Sequence, residues 1–176
     1  MKTGDVNYIM DLLDKPESIN LEFKAIYSKV EIAKVICSFL NRDGGRLVVG
    51  VDDHLKIVGV KEAEKLATEI QTYLYQEIVP EPVLSVDIQG LNNKKLLVIA
   101  ARQGTNQPYI FDGAVYYRKG SSTIKADSKQ LSILIHNEAE RNQRWEIKPA
   151  IEVEVDDINL NDILDCINEI RKTDRE

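Results

Sequence analysis

Residues 32–51 read Ile32-Ala-Lys-Val-Ile-Cys-Ser-Phe-Leu-Asn-Arg-Asp-Gly-Gly-Arg-Leu-Val-Val-Gly-Val51, and this stretch decides the fold. Its first part is strongly apolar and predicts a helix over Val30–Leu40. Ser28 and Glu31 have the spacing of a capping box, which marks the start of that helix. Asn41–Gly45 ends that helix, since glycine readily adopts the left-handed conformation found at helix ends. The β-branched run Arg46–Val51 then predicts a strand.

Outward from this stretch, the patterns predict a short helix, two strands and a hairpin. Val6–Leu13 has apolar residues at helical spacing. Asn20–Lys24 alternates polar and apolar residues, which predicts a half-buried strand with Glu22 and Lys24 on its polar face. Lys56–Val60 predicts a further strand that pairs with the preceding one as a hairpin.

The rest of the chain predicts an α+β fold. The remaining segments are, in order, a helix at Lys61–Ile78, strands at Val83–Gln89, Lys95–Ala101, Tyr109–Phe111 and Ala114–Arg118, and a helix at Asp127–Arg144. Because successive strands return through hairpins, we expect a mixed, mostly antiparallel sheet flanked by helices. We expect one domain over residues 1–145. Residues 146–176 are expected to form an acidic linker and helix that begins a further domain or serves as a dimerisation element.

Composition excludes several classes of protein. The 176 residues are 43% hydrophobic and 30% charged, which is typical of a packed domain rather than a disordered chain. No apolar run reaches the roughly 20 residues of a membrane span, and the N-terminus does not resemble a signal peptide. Two isolated cysteines and two histidines do not have the spacing of a zinc site. We therefore expect a cytoplasmic protein with no membrane partner.

The net charge of −6 is distributed unevenly along the chain. Residues 94–148 hold ten Lys/Arg and five Asp/Glu, which gives +5, whereas residues 1–93 carry −5 and residues 149–176 carry −6. A polyanion is thus a feasible partner for the basic segment even though the whole chain is acidic.

Two groups of acidic residues could hold a divalent metal ion. Glu17 and Glu22 lie close to Lys24 in sequence, and Asp52-Asp53 follows a predicted strand. Carboxylates of this kind can bind Mg²⁺ or Mn²⁺ and orient a water against a phosphate. Residue types alone favour a simpler interpretation, in which Glu22 and Lys24 form an ion pair and the aspartates belong to a turn.

A basic loop near residue 120 could contact phosphates. The loop combines cations, hydroxyls and exposed backbone amides, which can all bind phosphate. Tyr116 and Tyr117 are adjacent on the preceding strand, so one of them faces outward and could stack on a base. A solvated loop is the alternative, and the residue types do not decide between them. The candidate nucleic-acid contacts are Arg118, Lys119, Ser121 and Lys125, with Arg102 and Arg42 in loops that could approach them.

Gly44-Gly45 could let backbone amides approach a phosphate. The pair is not part of a Walker A loop, because no Gly-Lys-Ser/Thr follows it. A helix end that leads into a strand explains these glycines more simply.

Several separated motifs together resemble the Schlafen AlbA-type domain, also known as the divergent AAA domain. They are Asn20-Leu-Glu-Phe-Lys24, Ile36–Asn41 running into Gly44–Asp53, Ile57-Val-Gly-Val60, Gln107-Pro-Tyr109 and Val115–Ser122. The resemblance covers residues 14–135. It implies an α+β domain associated with DNA, found in bacterial transcriptional regulators and helicase-related proteins.

The same resemblance implies a site for cleavage of RNA. Animal Schlafen proteins with this activity use two glutamates five residues apart and an aspartate after a glycine-rich turn. Carried over, these positions are Glu17 and Glu22, with Lys24 following, and Asp53 or its neighbour Asp52. Mg²⁺ or Mn²⁺ would then be required as a cofactor.

Three functions therefore follow from the sequence. The first is a nucleic-acid-binding regulatory domain that requires no cofactor and takes DNA or structured RNA as its partner. The second is a metal-dependent endoribonuclease, and the third is a nucleotide-binding sensory module. A homodimer is a further expectation.

Overall fold

The computed structural model describes residues 3–25 and 28–142, so the expected linker and helix at 146–176 lie outside the described residues. The helices are α1 (Thr3–Leu13), α2 (Lys29–Leu40), α3 (Ala63–Glu77) and α4 (Ser128–Asn142). The strands are β1 (Leu21–Lys24), β2 (Gly45–Val49), β3 (Ile78–Val79), β4 (Leu84–Leu91), β5 (Lys94–Ala101), β6 (Ile110–Phe111), β7 (Tyr116–Lys119) and β8 (Ser122–Lys125). None of these helices is long and apolar enough to cross a membrane.

The central sheet has the strand order β1-β2-β5-β4. β1 runs parallel to β2, whereas the β2–β5 and β5–β4 pairs are antiparallel. Two antiparallel pairs, β3–β6 and β7–β8, lie beside this sheet. The expected α+β fold with a mixed, mostly antiparallel sheet is confirmed.

Alternation along β2 sends side chains to two different cores, one on each face of the sheet. Leu47 and Val49 pack with α2 and α3, whereas Val48 packs with Ile9 and Leu12 of α1. Helices therefore cover both faces, and the near-continuous apolar sequence of β2 reflects this double burial.

α2 is buried on nearly all sides, because the sheet covers one side and the β7–β8 pair contacts another. Its N-cap is Ser28, whose Oγ accepts a hydrogen bond from the backbone amide of Glu31, as expected. A left-handed backbone at Gly44, with φ of +78°, turns the chain from the helix end into β2. A Cβ on Gly45 would lie 2.6 Å from the ring of Phe39, so this closest approach of helix and strand requires glycine.

Two sequence expectations are corrected. Lys56–Val60 is not a strand, because the amides of Val58 and Gly59 both donate to the carbonyl of Gly50 instead of continuing a ladder. One isolated bridge, Val51 to Ile57, is formed there. The loop expected at Lys119–Ser122 is shorter than predicted, because Lys119 ends β7 and Ser122 begins β8, so the basic loop is the tip of a hairpin.

Candidate functional site

The guanidinium of Arg118, on β7, lies inside the domain and is 0% exposed. Its Nη1 donates to Glu22 Oε2 at 3.0 Å and to Thr123 Oγ1 at 2.9 Å, and its Nη2 donates to the carbonyl of Ser18 at 2.6 Å. The group also lies 5.1 Å from the centre of the Phe39 ring. The expectation that Arg118 contacts phosphate is therefore corrected, because its charge is compensated in the interior and is not presented to solvent.

Glu22 is the acidic centre of this buried cluster. Only 6% of Glu22 is exposed, and its second oxygen, Oε1, lies 2.6 Å from Lys24 Nζ. The side chain of Glu17 lies beside β1, because its Oε1 accepts a hydrogen bond from the backbone amide of Phe23. The expected ion pair between Glu22 and Lys24 is therefore present. The expectation that this pair is solvated is corrected, because Glu22 is buried and also pairs with Arg118.

Asp52 and Asp53 occupy a turn after β2. Asp52 Oδ1 accepts backbone hydrogen bonds from Lys56 at 2.9 Å and His54 at 3.0 Å. These bonds, that from Lys56 above all, lower the pKa of the Asp52 carboxyl. Asp53 is exposed.

The four candidate metal ligands do not form a single cluster within the described residues. Within residues 3–25 and 28–142, no group of three or more His, Cys, Asp or Glu side chains is placed to hold a metal ion. Glu17, Glu22, Asp52 and Asp53 therefore do not form such a group in this structure.

Cys37 is the buried thiol of α2. Burial raises the pKa of this thiol to about 11, so it is protonated at neutral pH. Its Sγ lies 3.3 Å from the carbonyl of Tyr109. Cys37 is thus a packing residue rather than a nucleophile.

The outer face of the β7–β8 hairpin carries the exposed cation Lys119. Side chains two residues apart on a strand share a face, and so do directly paired residues. Tyr117 and Lys119 therefore lie on the same face as their partners Ile124 and Ser122. Ser121 is exposed in the turn, and Lys125 is exposed on the opposite face, where it pairs with Tyr116.

Arg42, in the loop after α2, joins this face. Its Nη1 donates to the hydroxyl of Tyr117 at 2.8 Å and to the carbonyl of Arg118 at 2.7 Å. The guanidinium lies 5.2 Å from the centre of the Tyr117 ring and fixes that partly exposed ring in place. We call Arg42, Tyr117, Lys119 and Ser122 the hairpin surface.

Arg102 is exposed but lies elsewhere, in a groove at one end of the central sheet. The groove is also lined by Arg46, which the sequence patterns did not identify as a candidate. Its position next to the glycine pair is the signal that could have identified it.

Two amide side chains, those of Asn41 and Gln107, hold the site together. Asn41 Nδ2 donates to the carbonyls of Tyr109 and Tyr116 at 2.8 and 3.0 Å, and its Oδ1 accepts from the amide of Tyr109 at 2.6 Å. Gln107 Nε2 donates to the carbonyl of Leu40 at 2.7 Å. Both amides are buried, so these motif residues attach later segments to the end of α2 rather than contact a ligand.

Comparison with known proteins identifies one matching family and two similar solved structures. The family model described as Schlafen, AlbA_2 matches residues 17–127. The DIP2311 protein of Corynebacterium diphtheriae has a similar fold, with a TM-score of 0.52 and 15% identity over 68% of this chain; this chain covers only 26% of that protein. The N-terminal domain of a RecG-related protein from Nitrosomonas europaea gives a TM-score of 0.48 and 22% identity, over 72% of this chain and 95% of that domain. No match was found among curated proteins.

Proposed function

Because the chain belongs to the Schlafen AlbA_2 family, we propose that it is a nucleic-acid-binding domain and that the hairpin surface contacts the phosphate backbone. The observation that carries this proposal is the arrangement of Arg42, Tyr117 and Lys119 on one face of the hairpin, where Lys119 is exposed and the other two are partly exposed. We further propose that this binding serves a regulatory role in the protein that carries the domain.

The chemistry of the hairpin surface suits a polyanion of any sequence. Lys119 offers an exposed ammonium, and Ser121 and Ser122 offer hydroxyls at the turn. Tyr117 offers a ring that is already ordered by Arg42, which reduces the entropy lost when a base stacks on it. Such contacts position a strand but distinguish poorly between sequences.

The direct test is a salt titration of binding. Fluorescently labelled single-stranded DNA, duplex DNA and structured RNA are titrated with the full chain from about 50 to about 200 mM salt. Lys119→Ala should weaken binding and reduce the salt slope by about 0.7 to 0.9, which corresponds to one lost phosphate contact. The matched control is Lys65→Ala, which removes another exposed lysine charge, from α3.

Two results would reject this proposal. One is binding that Lys119→Ala leaves unchanged in affinity and in salt slope. The other is the absence of binding to all three nucleic acids at the lowest salt concentration.

Metal-dependent cleavage of RNA is a second candidate, and one observation favours it. Glu17 bonds to the amide of the residue that follows Glu22, so both carboxylates lie beside β1 with Lys24. Lys24 or Arg118 would have to release Glu22 before a metal ion could bind it. Structured RNA incubated with Mn²⁺ should then yield products that Glu17→Gln abolishes, and the absence of products would reject this candidate.

A further inference from the structure

A groove at the end of the central sheet is not used by the hairpin surface or by the buried ion pairs. Its volume is about 730 Å³, and it lies where β2 begins and β5 ends. Small residues form its floor, because Gly44-Gly45 and Ala100 place little more than backbone there. Arg46, Ala100 and Ser85 are paired in one row across three strands, so their side chains share a face of the sheet.

The charges of this groove favour an anionic ligand. Arg46 and Arg102 are both exposed, and within the described residues neither forms an ion pair. Asp43 is the acidic residue of the lining. Its Oδ2 forms an ion pair at 3.5 Å with Nε of Arg42, a residue that does not line the groove. Two uncompensated guanidiniums therefore face a polar depression whose floor a phosphate can approach closely.

The groove and the hairpin surface are joined by a single short loop. Arg42 belongs to the hairpin surface, whereas the next four residues, through Arg46, line the groove. Four residues of chain span at most about 14 Å, which equals about four nucleotide steps at 3.4 Å per step of a strand. A bound strand of modest length can therefore contact both places at once.

An aromatic residue stands at the edge of the groove. The guanidinium of Arg46 lies 5.9 Å from the centre of the Tyr8 ring, and Tyr8 is exposed. The pair repeats the arrangement of Arg42 and Tyr117, in which an arginine lies over a tyrosine ring. Arginine and aromatic rings in alternation are the components of surfaces that follow single-stranded nucleic acids.

We propose that the groove is a second phosphodiester-binding site, and that a single strand runs from the hairpin surface across the loop at residues 41–45 into the groove. Arg46 and Arg102 contact its phosphates, and Tyr8 offers a ring for one base. This inference rests on the proposed function, since it describes the path of the same ligand.

The test compares charge and shape variants of the full chain, with a labelled DNA strand of about 12 nucleotides, near the site size of known single-strand binders. Arg46→Ala combined with Arg102→Ala should weaken binding at least about tenfold and reduce the salt slope by about 1.4, for two contacts to a single strand. Ser85→Tyr should weaken binding without changing the charge, because the added ring fills the groove above Ala100. The matched control combines Lys61→Ala with Lys65→Ala, which removes the same charge from exposed positions.

The outcomes separate this inference from the proposed function. If Lys119→Ala weakens binding while both groove variants bind like the wild type, the groove inference is overturned and the proposed function stands. If the wild type binds no single strand, the groove inference is overturned, and the proposed function is overturned as well only if duplex DNA and structured RNA also fail to bind. If ATP alone binds the wild type as tightly as the strand and competes with it, the groove is a nucleotide site and the proposed path is overturned. Thermal melting of each variant checks that it is folded.

Discussion

Arg118 is the largest fully buried side chain among the described residues, and its charge makes burial costly. Glu22 compensates that charge, although Arg118 Nε has no hydrogen-bond partner among the described residues. Arg118→Ala leaves Glu22 buried beside Lys24 alone, and we expect it to lower the free energy of unfolding by about 3–5 kcal/mol. Urea denaturation measures the loss.

The neighbouring residue supplies the control for Arg118. Lys119→Ala removes an exposed charge from the same strand and should change the free energy of unfolding by less than about 0.5 kcal/mol. Equal effects of the two variants would show that Arg118 is not an internal ion-pair residue. Replacing both partners, with Arg118→Met and Glu22→Leu, should restore part of the lost stability, because no unpaired charge then stays buried.

Asn41 is the second residue whose role is internal. Its side chain makes three hydrogen bonds to backbone groups of Tyr109 and Tyr116, which β-strand pairing does not satisfy. Asn41→Ala leaves the Tyr109 amide and the Tyr116 carbonyl without this partner, and leaves the Tyr109 carbonyl with the weakly donating Cys37 thiol, at a cost of about 1–3 kcal/mol for each unsatisfied group that water cannot reach. Denaturation of Asn41→Ala beside the exposed control Asn106→Ala measures this cost. A difference below about 0.5 kcal/mol would contradict the assigned role.

At the scale of elements, the turn after β2 gives a pH-dependent contribution to stability. The pKa of Asp52 is lowered in the folded state, chiefly by the hydrogen bond from the Lys56 amide, so folding favours the ionised carboxylate. This contribution is present above the ordinary pKa of about 3.9 and is lost as the pH falls through the lower folded value. The stability difference between the wild type and Asp52→Ala should therefore shrink from pH 7 to about pH 3, as urea denaturation at each pH would measure.

Local patterns predicted those elements that local interactions determine. The Ser28 cap, the helix over Val30–Leu40 and the antiparallel pair joined near residues 92–93 are all present, because each depends on neighbours in sequence. Lys56–Val60 has the composition of a strand, but the amides of Val58 and Gly59 both donate to the carbonyl of Gly50, and the amide of Val60 donates to the carbonyl of Lys95. Composition cannot reveal such a pairing.

The role of Arg118 could not be predicted for a different reason. Arg118 contacts Glu22, which lies 96 positions earlier in the chain. The segment around Arg118 is rich in basic, glycine and serine residues, a composition that is typical of an exposed loop. Its neighbours Lys119 and Ser121, at the tip of the same hairpin, are exposed as the pattern indicated. The sequence thus located the basic region correctly but could not tell which of its cations points inward.

At the scale of the whole molecule, the Glu22–Arg118 pair connects the edge strand of the central sheet to the hairpin that carries the proposed binding surface. Asn41 and Gln107 connect the end of α2 to the segments before and within that hairpin. The exposed cations are therefore carried on a framework fixed by buried polar contacts. Such preorganisation lowers the entropy lost on binding.

The distribution of charge along the chain leads to the last prediction. Residues 1–145 hold 19 Lys/Arg and 19 Asp/Glu, so they are neutral overall, whereas residues 146–176 carry the entire net charge of −6. An acidic segment repels a polyanion over distances near the Debye length, about 10 Å at 0.1 M salt. A chain shortened to residues 1–145 should therefore bind a nucleic acid more tightly than the full chain at low salt.

The salt dependence distinguishes this charge effect from a direct contact. Because screening weakens repulsion, the affinities of the two chains should converge as the salt concentration rises. Thermal melting must first show that the shortened chain is folded, and neutralising the acidic residues of 146–176 in the full chain should reproduce its affinity. Weaker binding by the shortened chain at every salt concentration would mean that residues 146–176 contribute contacts of their own, and that the acidic segment belongs to the binding surface rather than opposing it.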